Sequence, residues 1–571
     1  MKGKPRFVLL LVLFLVGFTY AAGPPAAQAP MGSSIGKICL RPELLPPDVD
    51  IADLCEHCTS IPVSKTASAD GSTLTSHSCD GHFEIQIRIV PGKNSPAGAV
   101  RPVMKGGGNG QDRPQPVKVG EIPEVPQTFT RYDAAYPFMN EKQVGMGETT
   151  IGGRRELFND EGWFDIMELQ RVALERASTA REAIRIMGEL ATKYGYGDSG
   201  ECLTVIDPNE AWMFEIFGAG PSEKGAVWAA RRIPEGEVGV SANHSRIGTL
   251  DLKDKDTYLA SDSVFKVAQD MGWWKPGEPF AFRKAYGGQN SLGTTRREWR
   301  VLSTLAPSLN IDPWDMDLPF SVKPDKKVTP QDLMRLHRDS YEGTEFDLTR
   351  GLGAGPFGNP NRWATPVRPP EGTIGWERAI SVFRCSYATV LQARGWMPAW
   401  IGGLVWFAED DPKTSVYVPL YAGLTRLPKA YEIGSRDRFD RNSAWWAFDF
   451  LGNWANLRYD AMIKDIREAY TRIEKGFFDQ QADVEKKALD LYKQDPADAR
   501  EFLTDYSNTM AQKTVEEWWK LADSMIVRYN DGYINERGQE KSVGYPKDWL
   551  DAVGYGKTKI QEPKKKPTTT P

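Results

Sequence analysis

Apolar and polar positions along this chain alternate with two periods, and the switches between them mark out its elements. From residue 58, CTSIPVSK reads as a short strand, ASADGS supplies Asp70 and Gly71 for a tight turn, and STLTSHSC returns as a second strand. FEIQIRIV places Ile85, Ile87 and Ile89 on one face and predicts a third. Residues from about 91 to 130, with KGGGNG and EIPEVPQ, are rich in Gly and Pro and predict loop. The period then becomes helical: GWFDIMELQRVALERA carries Ile166, Leu169, Val172 and Leu174, and Thr179 with Glu182 forms a capping box ahead of Ile184, Met187 and Leu190. Period two resumes in CLTVIDPNEAWMFEIF, a hairpin turning at Asp207 to Asn209, and in VWAARRIPEGEVGVSANH. AISVFRCSYATVL, GGLVWFA and TSVYVPLYAG are strand-like. One helix from about Ser443 keeps Ala447, Phe450, Leu451, Trp454, Ile463, Ile466, Tyr470 and Ile473 on an apolar face, and VEEWWKLADSMIVRY is a further helix. This alternation predicts sheet layers with helices packed outside them.

The ends differ from the body. Lys2, Lys4 and Arg6 precede an apolar run from Phe7 to Phe18, and small residues follow, which reads as a secretory signal over 1–29. Residues 30–57 are Pro-rich and weakly patterned, as expected of a pro-segment, and 559–571 form a low-complexity tail. Between them the pattern divides into 58–475 and a helical region, 476–558. Export to a periplasmic or extracellular location follows from the signal, with no integral membrane span left after its removal, since the run falls short of the ~20 apolar residues a membrane helix needs.

Composition narrows the function. The chain has 571 residues, 18 of them Trp, with 40% hydrophobic and 26% charged residues, so it has ample material for a core. A net charge of -5 offers no basic excess for phosphates, and nucleic acid is not an expected partner. Six cysteines are too few for a disulfide scaffold.

Reactive side chains concentrate between Cys55 and His82: Cys55, His57, Cys58, His77, Cys79, Asp80 and His82. Cys55 and Cys58 form a CxxC that a His/Cys pair could complete into a zinc shell, but the spacing departs from finger and ribbon patterns. A redox CxxC normally leads into a helix, whereas strand follows Cys58. Another reading takes Cys58 as a nucleophile at the head of a strand, just after a dispensable segment, beside the plain alternative of a buried small hydrophobe. Cleavage between His57 and Cys58 would set a free α-amine beside its own thiol, with an ordinary pKa of ~7.7 to 8.0 that suits a general base.

CTSIPVSKTASADGSTLTSHSCD resembles the opening of the cysteine dipeptidases of peptidase family C69, a branch of the N-terminal-nucleophile (Ntn) hydrolases similar to penicillin V acylase and bile salt hydrolase. The likeness continues through YPFMNEKQVGMGETTIGGRREL, GECLTVIDPNEAWMFEIFG, VSANHSRIG, RREWRVLSTLAPSL, DLTRGLGAGPFGNPNR and GGLVWFAEDDPKTSVYVPLYAG, to about Glu474. The resemblance implies an α+β fold of the αββα four-layer sandwich class, extended by C-terminal helices. It implies Cys58 as nucleophile, its amine as base, Asp80 as the group that holds the amine, Asn243 as oxyanion donor and Arg297 as the later site arginine. It implies no cofactor and no metal. The substrate is expected to be a dipeptide or short peptide with a free amino end, and homo-oligomer formation is left open. An N-acyl amide hydrolase would share these residues, and an inactive secreted binding protein would share the fold. One position departs from the pattern: most relatives carry an arginine near His77, and His77 either replaces its charge over part of the pH range or is a strand histidine facing solvent.

Overall fold

The computed structural model describes residues 58–106, 116–220, 224–361, 377–536, 539–541 and 544–557. The signal, the pro-segment with Cys39, Cys55 and His57, and the tail lie outside them. Two antiparallel five-stranded sheets carry the fold. In chain order their strands are β1 (Thr59–Ser60), β2 (Thr73–Asp80), β3 (Gly145–Thr150), β4 (Glu201–Ile206), β5 (Ala211–Gly218), β6 (Ala226–Arg232), β7 (Tyr258–Ala260), β8 (Cys385–Ala393), β9 (Leu404–Glu409) and β10 (Val418–Tyr421). The first sheet runs β1-β2-β8-β9-β10 and the second β7-β6-β5-β4-β3. The protein is thus a mixture of helix and antiparallel sheet, as α+β implies.

The sheets pack face to face at β2 and β3. Thr75 Oγ1 and Thr204 Oγ1 share a 2.6 Å hydrogen bond between them, and Ser60 Oγ donates to the Glu148 carbonyl at 2.9 Å. A Cβ at Gly147 would lie 2.8 Å from Thr204 Oγ1 and 2.9 Å from the Ser76 carbonyl oxygen, closer than real Cβ contacts are found. Glycine there lets the strand that carries Glu148 run against the strand that carries His77.

The seven helices that matter for this frame are α1 (Ile166–Arg176), α2 (Ala180–Tyr194), α3 (Leu292–Leu305), α4 (Pro330–His337), α5 (Ala444–Ala455), α6 (Tyr459–Gln494) and α7 (Pro496–Arg528). Helix α2, capped by Thr179 accepting from the Glu182 N–H, packs on the outer face of the second sheet, where Gly188 makes room for the Trp228 ring. Helices α5, α6 and α7 pack on the first sheet, and Phe478 of α6 stacks on Trp406 of β9 at 4.3 Å. The 475/476 boundary falls inside α6 and is crossed by a buried ion pair: Arg394, at the end of β8, binds Glu485 at 2.6 Å. Among the described residues no helix is long and apolar enough to cross a membrane.

Three local expectations change. The 91–130 stretch contains a hairpin, Val100–Lys105 paired with Val117–Pro123, and Arg101 from it binds Glu175 of α1 at 2.7 Å. Pro102 and Pro123 fit because each strand of a two-stranded ribbon keeps a free edge where no N–H is needed. Of FEIQIRIV only Arg88–Val90 forms a ladder, with Arg131–Asp133. The helix from Ser443 is two helices, α5 and α6, and the turn between them is anchored by Asn456 Oδ1 accepting from Asn359 and Asn361.

Acidic groups inside this frame couple stability to pH. Burial pushes Glu215 up to about 7 and Asp411 up to about 6, and raises Glu201 and Glu409 as well. A carboxyl raised in the folded state retains a proton that the unfolded chain gives up, so its stabilisation is complete below the unfolded pKa and is lost as pH rises through the folded one. His337 acts oppositely: burial lowers it to about 3, which costs stability only below its ordinary ~6.5. Stability should therefore fall as pH rises from about 4.5 to about 7, by up to ~1.4 kcal/mol per pH unit for Glu215, partly offset by His337 below ~6.5, and Glu215→Gln should flatten the slope. Thermal melts across that window check it, and equal slopes in the two proteins would show that Glu215 does not titrate there.

Candidate active site

Strand β2 is buried along its whole length, although its sequence, TLTSHSCD, is polar. Its hydroxyls are used between layers: Thr75 bonds Thr204 on one side, and Ser76 Oγ lies 2.8 Å from His337 Nε2 of α4 on the other. Short β1 joins its edge in the register Thr59↔Ser78 and Ser60↔His77, which brings Cys58 to the end of the strand where Cys79 and Asp80 lie. Cys58 is wholly buried. Burial pushes its thiol well above the usual range, and Glu148, Cys79 and Asp80 add to the effect, while the Asp80 backbone N–H favours the thiolate. As it stands, this cysteine is a neutral thiol.

His77 is buried too, 1% exposed, and does not face solvent. Its Nε2 lies 3.5 Å from Glu148 Oε2, and its ring meets Tyr136 and Tyr387 edge-on. The sulfur of Cys58, an imidazole nitrogen of His77 and a carboxylate oxygen of Glu148 all lie within 4.8 Å of one another, the donor set among the described residues that could hold a metal ion. Asp80, at the end of β2, accepts from Ser78 Oγ at 2.8 Å and is ion-paired with Arg378. Burial, with Asp80 beside it, raises the Cys385 thiol well above its usual range.

Arg297 ties the remaining candidates together. It lies on α3, wholly buried, so it is not a surface ion-pairing residue. Nη1 donates to the Cys58 carbonyl at 2.9 Å and to Thr59 Oγ1 at 3.0 Å. Nη2 donates to the Ala242 carbonyl at 3.0 Å and to Asn243 Oδ1 at 2.8 Å, and Nε reaches the Gly293 carbonyl at 2.9 Å. Burial, with Arg378 nearby, lowers its guanidinium to about 9, which leaves it charged at neutral pH. Asn243 has φ 70°, a left-handed conformation that asparagine tolerates, and its Nδ2 donates to the Thr150 carbonyl at 2.7 Å. Both ends of the amide are thereby fixed, and one Nδ2 hydrogen is left over.

A model of the family described as peptidase family C69 matches residues 57–472, a span that holds every residue just named. The chain belongs to peptidase family C69. Among relatives of this C69 peptidase, "Probable dipeptidase B" of Streptococcus pyogenes serotype M1 is 23% identical over 496 residues, 85% of this chain and 95% of its own. "Probable dipeptidase" of Salmonella dublin is 28% identical over 390 residues, covering 64% and 81%. "Dipeptidase A" of Lactobacillus helveticus is 24% identical over 418 residues, covering 70% and 82%.

In the C69 peptidase, Cys58, His77, Asp80, Asn243 and Arg297 are joined into one network, directly or through one intermediary. Sequence reasoning missed Glu148 and Arg378. Glu148 left a trace in GMGETT, a charge between glycines in a strand, where the glycines record a close backbone approach. Arg378 sits outside the regular elements and left none. Cys79, Cys202 and Cys385 are buried and not joined in disulfides, and His82 is exposed. Ser245, two residues after Asn243, lines a cleft of about 470 Å³ with Arg154, Arg283, Lys284, Asn290 and Asp317.

Proposed function

We propose that this peptidase is a dipeptidase of the Ntn-hydrolase αββα class, acting on dipeptides or short peptides through Cys58 after self-cleavage of the bond from His57. The observation that carries the reading is the Arg297 clamp, which holds the Cys58 carbonyl and the Asn243 amide with one guanidinium. A nucleophile and an oxyanion donor fixed to the same rigid group can act on the same carbonyl. The relatives' dipeptidase names support the substrate class, and the amino-terminal segment supports export.

The chemistry follows from the groups in place. The α-amine of a mature Cys58 takes the thiol proton, and the sulfur attacks the peptide carbonyl. The resulting oxyanion accepts a hydrogen bond from the Asn243 Nδ2 hydrogen not used by Thr150. Collapse to a thioester expels the leaving amine, which takes the proton back. Water, deprotonated by the same α-amine, then hydrolyses the thioester and releases the acid. Asp80 holds the ammonium form by a charge-assisted hydrogen bond. Glu148 disfavours the thiolate in the uncleaved chain; a cationic amine created beside the sulfur offsets that charge, so cleavage and activation coincide.

Paired assays test this. Purified protein should hydrolyse dipeptides, leave N-acyl amino acids intact, and lose none of its rate in EDTA. Hydrolysis of N-acyl amino acids alone would make it an acylase. Hydrolysis of neither, with Cys58→Ala indistinguishable from the parent, would make it a binding protein. Loss in EDTA restored by zinc would replace the cysteine mechanism with a metal one.

A further inference from the structure

We infer that Cys58, His77 and Glu148 form a binding site for one soft divalent cation, Zn²⁺ being the natural fit, and that its occupancy silences the peptidase. The silencing rests on the dipeptidase reading above; the binding site does not. The mechanism gives His77 and Glu148 no bond to make or break, yet both are buried against the nucleophile. His77 Nε2 and Glu148 Oε2 make no well-aligned hydrogen bond among the described residues; they meet at 3.5 Å, while the Glu148 carboxylate also meets the Glu201 carboxyl and accepts from Thr150 Oγ1 at 3.1 Å. A buried imidazole nitrogen and a carboxylate oxygen without a well-aligned hydrogen bond, with a second carboxyl alongside, are costly to leave so, and a cation shared by His77 and Glu148 satisfies both.

The donor chemistry fits zinc. Thiolate, imidazole and carboxylate are its usual ligands, at ~2.0 to 2.3 Å, so two ligands on a tetrahedral ion stand roughly 3.3 to 3.8 Å apart. The His77–Glu148 separation of 3.5 Å is already in that range, and the widest separation in the set, within 4.8 Å, needs about 1 Å of side-chain movement. Calcium and magnesium, which take oxygen ligands, are excluded by the sulfur and nitrogen. Binding replaces the Sγ–H bond with Sγ–M and releases one proton to solvent, with no change of oxidation state. In the mature chain the α-amine of Cys58 would add a fourth donor, closing a five-membered chelate with its own sulfur. The same ion would then occupy the nucleophile and the base together, which is why it inhibits.

Cobalt(II) is the probe, because thiolate ligation gives it a charge-transfer band in the near ultraviolet. Purified mature protein titrated with CoCl₂ should develop that band to one equivalent, lose it on addition of ZnCl₂, and lose dipeptide hydrolysis in proportion to occupancy, with recovery in EDTA. Glu148→Gln and His77→Ala should each weaken cobalt binding at least tenfold. Absence of a thiolate band in the parent protein, unchanged affinity in both variants, or acceleration by the metal would overturn the proposal. The two readings fail separately: hydrolysis without a cobalt band removes the metal site alone, and a cobalt band without hydrolysis removes the dipeptidase alone.

Discussion

Cys58→Ala should lower dipeptide hydrolysis by roughly 10⁴-fold or more, the scale on which loss of a covalent nucleophile is felt, and should leave the residues before position 58 attached. Both effects have one cause. In the proposed maturation the Cys58 thiol attacks the His57 carbonyl, the peptide shifts to a thioester, and water releases the segment, so the side chain that cuts substrate must first cut its own chain. Residues before 58 lack the sequence patterning of a domain, so their removal is expected to leave the fold intact. The mature protein should run from Cys58 to Pro571, without Cys39, Cys55 and His57. Intact-mass measurement of active protein decides it. Full activity in a chain that still carries residues ahead of Cys58 would refute the N-terminal-nucleophile mechanism.

The second large effect is expected at Arg297. Truncation to Ala removes the donor from three backbone carbonyls, Cys58, Ala242 and Gly293, and from Asn243 Oδ1 and Thr59 Oγ1. At about 1 kcal/mol or more for each buried acceptor left unpaired, Arg297→Ala should lose several kcal/mol and fold poorly. Arg297→Lys is the informative variant. It keeps a charge but not the planar fork, and cannot hold Cys58 and Asn243 at once. It should fold with a kcat reduced about 100-fold and a KM changed far less, the pattern of a lost oxyanion interaction. Denaturant unfolding with steady-state kinetics separates the effects, and wild-type kcat in Arg297→Lys would show that the clamp only supports the fold.

The sequence was most legible where one pattern served both local and tertiary demands. The hairpin at Asp207 is an example: its alternation matches β4 and β5, and the Asp207 side chain caps the turn by accepting from the Asn209 and Glu210 N–H groups. The hairpin at 100–123 was hidden because its prolines signal loop, and only its position at a two-stranded edge makes them harmless. FEIQIRIV alternates correctly, but a ladder also needs a partner, which local pattern does not encode. The same limit applied to the site. Cys58 and Asp80 stood out in a dense cluster near one another in sequence, whereas Glu148 and Arg378 reach that place from 68 and 298 residues beyond Asp80. The burial of His77 and Arg297 depends on layers that meet only in three dimensions.

The Arg394–Glu485 pair bears on how such a protein can change over generations. One partner is fixed at the end of a sheet strand within the span shared with the family, 57–472, and the other lies on helix α6 beyond it. Neither can be altered alone without leaving a buried charge unanswered. The carboxyl-terminal helices are therefore not an accessory module open to exchange, and the two parts of the chain are bound to evolve in step.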